Sequence, residues 1–179
     1  MDDKAPVIVV DLQTGMFDGR VAPPLHDAEG LVVRVRRILS WARASGRGVA
    51  FMQQNSPPPD QLSPGQPGFP IWPALGQAAD EPTFAKTVEN SFTSAALRDW
   101  VKDLGTDEVI VIGAATNHCV KSTVAGAIEQ GLKVTVVSDA HSTGGRPTAP
   151  GIIAEYNAIF AAEGARLLTT DELIRASVA

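Results

Sequence analysis

At 179 residues the chain corresponds to one domain on a prior of roughly 150 residues each, and it can bury enough surface to fold without a disulfide or metal staple. Fifteen Lys and Arg against twenty Asp and Glu leave a net charge of −5, which argues against nucleic acid and anionic membrane surfaces as partners. Hydrophobic residues at 44% with charged residues at 20% exclude a disordered chain, and the single cysteine, Cys119, excludes an intramolecular disulfide and a multi-cysteine zinc site.

The acidic opening Met1-Asp2-Asp3-Lys4 has no basic region or cleavage site, and no apolar run approaches the roughly 18 to 20 residues a membrane helix needs. A cytoplasmic protein without a membrane partner is expected. Val7-Ile8-Val9-Val10 is a continuous β-branched run, the pattern of a parallel strand covered on both faces, and it ends at Asp11. Between Glu29 and Ala44, Leu31, Val32, Val35, Ile38, Leu39 and Ala42 fall at helical spacing with arginines between them. Val49 to Met52 reads as a second strand. The stretch 56–82 is rich in proline and glycine, yet Phe69, Ile71, Trp72 and Leu75 lie within it, which favours an ordered flap over a linker.

Thr83 to Lys86 is a short strand, and Ser91 to Leu104 carries a second helical stripe stopped at Gly105. Glu108 to Gly113 is the strongest buried-strand signal. After it Val120, Val124, Ala127 and Ile128 repeat at helical spacing up to Gly131, with Thr116 or Asn117 as candidate N-cap. A strand over Leu132 to Ser138, a helix over Ile152 to Ala162, a strand at Arg166 to Leu168 and a helix opened by Thr170-Asp171-Glu172 complete the chain. Such alternation calls for right-handed crossovers and a parallel sheet with helices on both faces, within one three-layer domain over residues 1–179.

Ligands of open parallel sheets bind at the carboxyl ends of the strands, and three reactive residues fall there: Asp11, Lys86 and Cys119. Alone, Asp11 reads equally well as a turn cap, and for Lys86 a solvated edge-strand lysine is the favoured reading. Cys119 follows a strand and the small residues Gly113-Ala114-Ala115, in what the pattern makes the first turn of a helix. There the helix dipole would lower its pKa and free N–H groups could hold an oxyanion, whereas a lone core cysteine is more often structural.

Four stretches in order resemble the isochorismatase-like cysteine hydrolase superfamily: Val7 to Gln13 with Phe17; Lys86 with Ser91-Phe92; Val109 to Val120; and Val134 to Ala140. The resemblance covers most of the chain. It implies an α/β three-layer fold with a six-stranded parallel sheet of order 3-2-1-4-5-6, and a triad of Asp11, Lys86 and Cys119. Asp11 would take the thiol proton, Lys86 would hold the two by charge, and Cys119 would attack a carbonyl carbon to give a thioester. It further implies a cis bond between Ala114 and Ala115, with the backbone N–H groups of Ala115 and Cys119 as oxyanion hole.

Members resembling nicotinamidases carry metal-binding histidines after the second strand, where this chain has Gln53-Gln54-Asn55-Ser56-Pro57, so no metal and no cofactor is expected. Isochorismatases proper, which cleave a vinyl ether, typically lack the cysteine, so Cys119 favours hydrolysis of the C–N bond of a small amide. The family often has a Thr where Ala95 stands. Gln13, Phe17, Trp72 and His141 are the candidate substrate-pocket residues; Trp72 reads equally as flap packing, and His118 as structural or pocket-lining. A homo-oligomer, dimer or tetramer, is expected. The competing readings are a thiol sensor or scaffold on the same fold, and a vinyl ether hydrolase. A dinucleotide-binding module is disfavoured because no G-x-G-x-x-G follows the first strand.

Overall fold

The computed structural model describes residues 4–176; the opening Met1 to Asp3 lies outside them. Six strands form one parallel sheet: β1 (Val7–Val10), β2 (Val49–Gln54), β3 (Thr83–Lys86), β4 (Glu108–Ala114), β5 (Lys133–Ser142) and β6 (Arg166–Leu168). Their order across the sheet is β3-β2-β1-β4-β5-β6, as expected. All four β1 residues are fully buried, which is why the run is apolar throughout rather than alternating.

Two cores cover the faces. Val7, Val9, Phe51 and Ile112 pack with Leu31, Val35, Ile38 and Leu39 of α1 (Ala28–Ala44) and Leu173 of α5 (Thr170–Arg175). On the other face Ile8, Val10, Met52 and Val111 pack with α2 (Ala95–Asp103), α3 (Lys121–Glu129) and α4 (Ala149–Ala162), through Leu97, Val101, Val124, Ala127 and Phe160. No helix among the described residues is long and apolar enough to cross a membrane.

Three elements depart from the sequence pattern. The helix expected over Ser91 to Leu104 is split, because Asn90 accepts from the Phe92 N–H and caps a 3-10 turn (Ser91–Thr93), while Ser94 accepts from the Leu97 N–H and starts α2. The strand expected to stop at Ser138 runs on to Ser142: the β4–β5 register shifts between Val111 and Gly113, and pairing resumes at Gly113 with His141. The last helix is capped by Thr169 in a capping box with Glu172. Gly113 is obligatory where β4 meets β1, since its φ is +130° and an added Cβ would lie 2.2 Å from the Val10 carbonyl oxygen.

The flap packs on its own chain. Trp72 N–H donates to Leu12 O, Thr14 N–H to Pro70 O, and Gly15 N–H to Gly68 O, so residues 68–72 run alongside the segment that follows β1. The strand order reverses between β1 and β4, and the crevice opens there.

Candidate active site

β1 delivers Asp11 and β3 delivers Lys86, while a turn of π-helix (Thr116–Val120) following β4 delivers Cys119. Asp11 adopts φ +48°, a left-handed conformation that Asp tolerates better than most residues, as the chain turns out of the strand. Its side chain is 3% exposed and that of Lys86 fully buried, with Lys86 Nζ 2.7 Å from Asp11 Oδ2. The same ammonium lies 3.4 Å from Cys119 Sγ and donates to Gln54 Oε1 at 2.7 Å and the Val88 carbonyl at 3.1 Å. The Asp11 carboxyl is also near enough for its charge to bear on the Cys119 thiol. The three expected residues therefore meet as one buried cluster of acid, cation and sulfur.

Burial dominates the electrostatics. It pushes the Asp11 carboxyl up, against the attraction of Lys86. Cys119 is pushed up to about 12, first by burial and then by the negative charge of Asp11, with Lys86 only partly compensating. This corrects the expectation of a thiol acidified by a helix dipole. Asp11 and Cys119 compete for one proton beside one cation, and losing the second proton would leave the cluster with a net negative charge in a poorly solvated place. A sulfur so placed is a protonated thiol at neutral pH, with the Asp11 carboxyl beside it. Neither Thr116 nor Asn117 caps the turn: Ala115 holds the N-cap position, and both side chains are used elsewhere.

Thr116 and His141 form part of a buried relay. Asn157 Nδ2 donates to Ser138 O, so Asn157 Oδ1 accepts from His141 Nε2–H, and His141 Nδ1 accepts from the Thr116 hydroxyl. Burial pushes the His141 pKa down, consistent with a neutral ring serving as a structural link to the cysteine turn. The bond between Ala114 and Ala115 is cis.

A cavity of about 390 Å³ opens onto Cys119. Asp11, Ala114, Ala115 and Cys119 line it on one side; Met16, Val21, Leu25, Leu62 and Ile152 supply apolar wall. Its polar lining comes from Gln54, Asn117, His118, Thr143, Arg146 and Thr148. The loop before α1 and the loop after β5 are zipped together by His26 N–H to Thr143 O and Gly145 N–H to Pro24 O, which fixes one rim.

The four residues expected to line the pocket do not. Gln13 is fully buried and works as a staple: its Nε2 donates to Gln54 O and Phe69 O, and its Oε1 accepts from Gln54 N–H. Phe17 and Trp72 stack on each other, 5.0 Å between centroids and 10° between planes, joining the flap to the body. His141 is held in the relay, edge-on to Phe160. In each case a hydrogen-bonding or stacking demand inside the protein takes the side chain away from the cavity. His118 does line it, and its Nδ1 meets Glu89 Oε1 at 3.2 Å rather than Cys119.

Gln54 is the member of the cluster that the sequence hid. It appeared there only as the absence of a histidine, yet it orients the lysine between acid and sulfur. Among the described residues no group of three or more His, Cys, Asp or Glu side chains converges to hold a metal ion.

Comparison with known proteins places the chain among hydrolases. The chain is 31% identical over 167 residues to streptothricin hydrolase of Streptomyces noursei, which covers 93% of this chain and 66% of that protein. It spans 60% of a second streptothricin hydrolase from the same organism, so these relatives are substantially longer. Nicotinamidase of Escherichia coli is 27% identical, with 74% of this chain and 80% of the relative covered. Among solved structures, a cysteine hydrolase from Pseudomonas syringae superposes with TM-score 0.88 at 22% identity, over 98% of this chain and 93% of that one. An N-carbamoylsarcosine amidase from Thermoplasma acidophilum superposes with TM-score 0.81 at 24% identity, over 94% and 98%. The isochorismatase domain model matches residues 5–172, the whole sheet and all three clustered residues, and the chain therefore belongs to the isochorismatase family of hydrolases.

Proposed function

We propose that the protein is a metal-independent cysteine amidohydrolase that cleaves the C–N bond of a small amide through a thioester on Cys119. One observation carries this reading: the Lys86 ammonium, wholly buried, lies 2.7 Å from the Asp11 carboxylate and 3.4 Å from the Cys119 sulfur at the floor of a cavity. A thiol held near pKa 12 is a poor nucleophile unless a base removes its proton during attack. Asp11, whose own basicity is raised by burial, is that base.

The steps follow from the arrangement. Asp11 takes the thiol proton as Sγ bonds to the carbonyl carbon, and the carbonyl π electrons move to oxygen, where the N–H groups of Ala115 and Cys119 receive the charge. Collapse breaks the C–N bond while protonated Asp11 returns the proton to the leaving nitrogen. Water, deprotonated by Asp11, then attacks the thioester; the acid leaves and the sulfur recovers the proton. Throughout, Lys86 keeps a positive charge beside whichever of Asp11 and Cys119 is negative, so the buried cluster never carries an uncompensated anion. Relatives named nicotinamidase and streptothricin hydrolase support hydrolysis of a small molecule.

A thiol sensor accounts for Cys119 but leaves the buried Asp11–Lys86 pair without purpose, and a vinyl ether hydrolase leaves Cys119 without one. The test is ammonia release by metal-stripped protein across small amides, including nicotinamide, ureido acids and acyl hydrazines, with Cys119→Ala as control. Release by the wild type alone supports the reading. Release by both proteins, or restored only by added metal, overturns it.

A further inference from the structure

The polar atoms of the cavity are unevenly matched. Gln54 Oε1 is occupied by Lys86 Nζ, and Asn117 Oδ1 accepts from the Thr143 hydroxyl at 2.9 Å. Both amides are thereby oriented with their NH₂ groups, Gln54 Nε2 and Asn117 Nδ2, making no hydrogen bond among the described residues. Arg146 lines the same cavity, is exposed, and enters no ion pair among the described residues. The Asp11 and Lys86 charges cancel, so Arg146 leaves the lining with one positive charge. The amide donors and the guanidinium stand with the Thr143 and Thr148 hydroxyls and the His118 ring in an otherwise apolar wall.

We infer that this cavity selects amides bearing a carboxylate at the end away from the scissile bond, with Arg146 as the residue that reads it. This deepens the amidohydrolase reading and rests on it. A carboxylate supplies one negative charge and up to four acceptor sites, which the planar guanidinium fork meets in a bidentate pair, with Asn117 Nδ2 a further donor in the same cavity. A phosphate dianion would leave one charge uncompensated in a cavity that also holds the Asp11 carboxylate. A cationic amide would oppose Arg146 directly. The apolar wall of Met16, Leu25, Leu62 and Ile152 suits an aliphatic chain between the two ends.

The experiment measures binding as well as turnover. Cys119→Ala protein is titrated calorimetrically with the monoamides of succinic, glutaric and adipic acids and with the methyl ester of each. For at least one chain length the acid should bind about tenfold or more tightly than its ester. Arg146→Ala should bring the ratio near one, Arg146→Lys should keep part of it, and raising salt should shrink it; circular dichroism checks that the variants fold. Equal binding of acid and ester, a preference that survives Arg146→Ala, or no binding of any acid overturns the inference. Acid-selective binding without ammonia release by the wild type sinks the hydrolase reading and leaves the subsite standing. Ammonia release from neutral amides with no acid preference does the reverse.

Discussion

Because Cys119 is the only cysteine, its ionisation can be read directly from thiolate absorbance in the far ultraviolet, as the difference between wild type and Cys119→Ala. Subtraction also cancels the single tyrosine, Tyr156. With the thiol at about 12, roughly 1% is ionised at pH 10, whereas a thiol at the ordinary value of 9.0 would be about 91% ionised. The wild type should therefore show almost no thiolate signal up to pH 10. Asp11→Asn removes a negative charge that raises the thiol while leaving Lys86, which lowers it, so its titration should begin at lower pH. Stability must follow the same shift. Between pH 9 and 12 the folded thiol holds a proton that the unfolded one has lost, so stability declines as pH rises, by on the order of 1 kcal/mol at pH 10 relative to Cys119→Ala. A thiolate signal complete by pH 9, or an Asp11→Asn variant that titrates higher than wild type, would refute an electrostatics led by burial and Asp11.

Other consequences are accessible to simple assays. Lys86→Met strands a buried carboxylate and should cost about 3 kcal/mol in urea unfolding at pH 7. Without Lys86 the folded Asp11 pKa rises further above 3.8, the folded state takes up the extra proton, and the deficit should shrink on acidification toward pH 4; a deficit that grows in acid would contradict this. Gly113→Ala places a Cβ 2.2 Å from the Val10 carbonyl oxygen at φ +130° and should lose about 3 kcal/mol or more, by the same measurement. Light scattering should give at least twice the 18.8 kDa chain mass, since α4 buries only Ala149 and Phe160 of a largely apolar sequence; a value of 18.8 kDa would count against the expected oligomer.

The sheet was legible because parallel strands buried on both faces must be apolar throughout, and Val7 to Val10 and Val109 to Ile112 have little else they can be. The cluster of Asp11, Lys86 and Cys119 was legible for a related reason: strand ends are few, and reactive side chains at or just past the carboxyl ends of three strands, in family order, stand out. Features written in hydrogen bonds were less visible. Whether Gln13 faces a ligand or staples two strands depends on carbonyls 41 and 56 residues away, and nothing in its neighbours records them. The extension of β5 through His141 and Ser142 has no hydrophobic signature, because its polar side chains are satisfied by Thr116, Asn157 and His26 O. The rise in the Cys119 pKa was hidden as well, since position after a strand suggests a dipole, while burial and the Asp11 charge emerge only once three distant segments meet.

The central claim is that Cys119 forms a covalent thioester with an acid released from its amine. Intact-mass spectrometry of acid-quenched protein, mixed for milliseconds with whichever amide releases ammonia, tests it directly. An adduct of acyl mass is expected that maps to Cys119, decays as product appears, is converted to hydroxamate by hydroxylamine, and is absent in Cys119→Ala. Sustained ammonia release with no adduct and no hydroxamate, or with turnover preserved in Cys119→Ala, would contradict it.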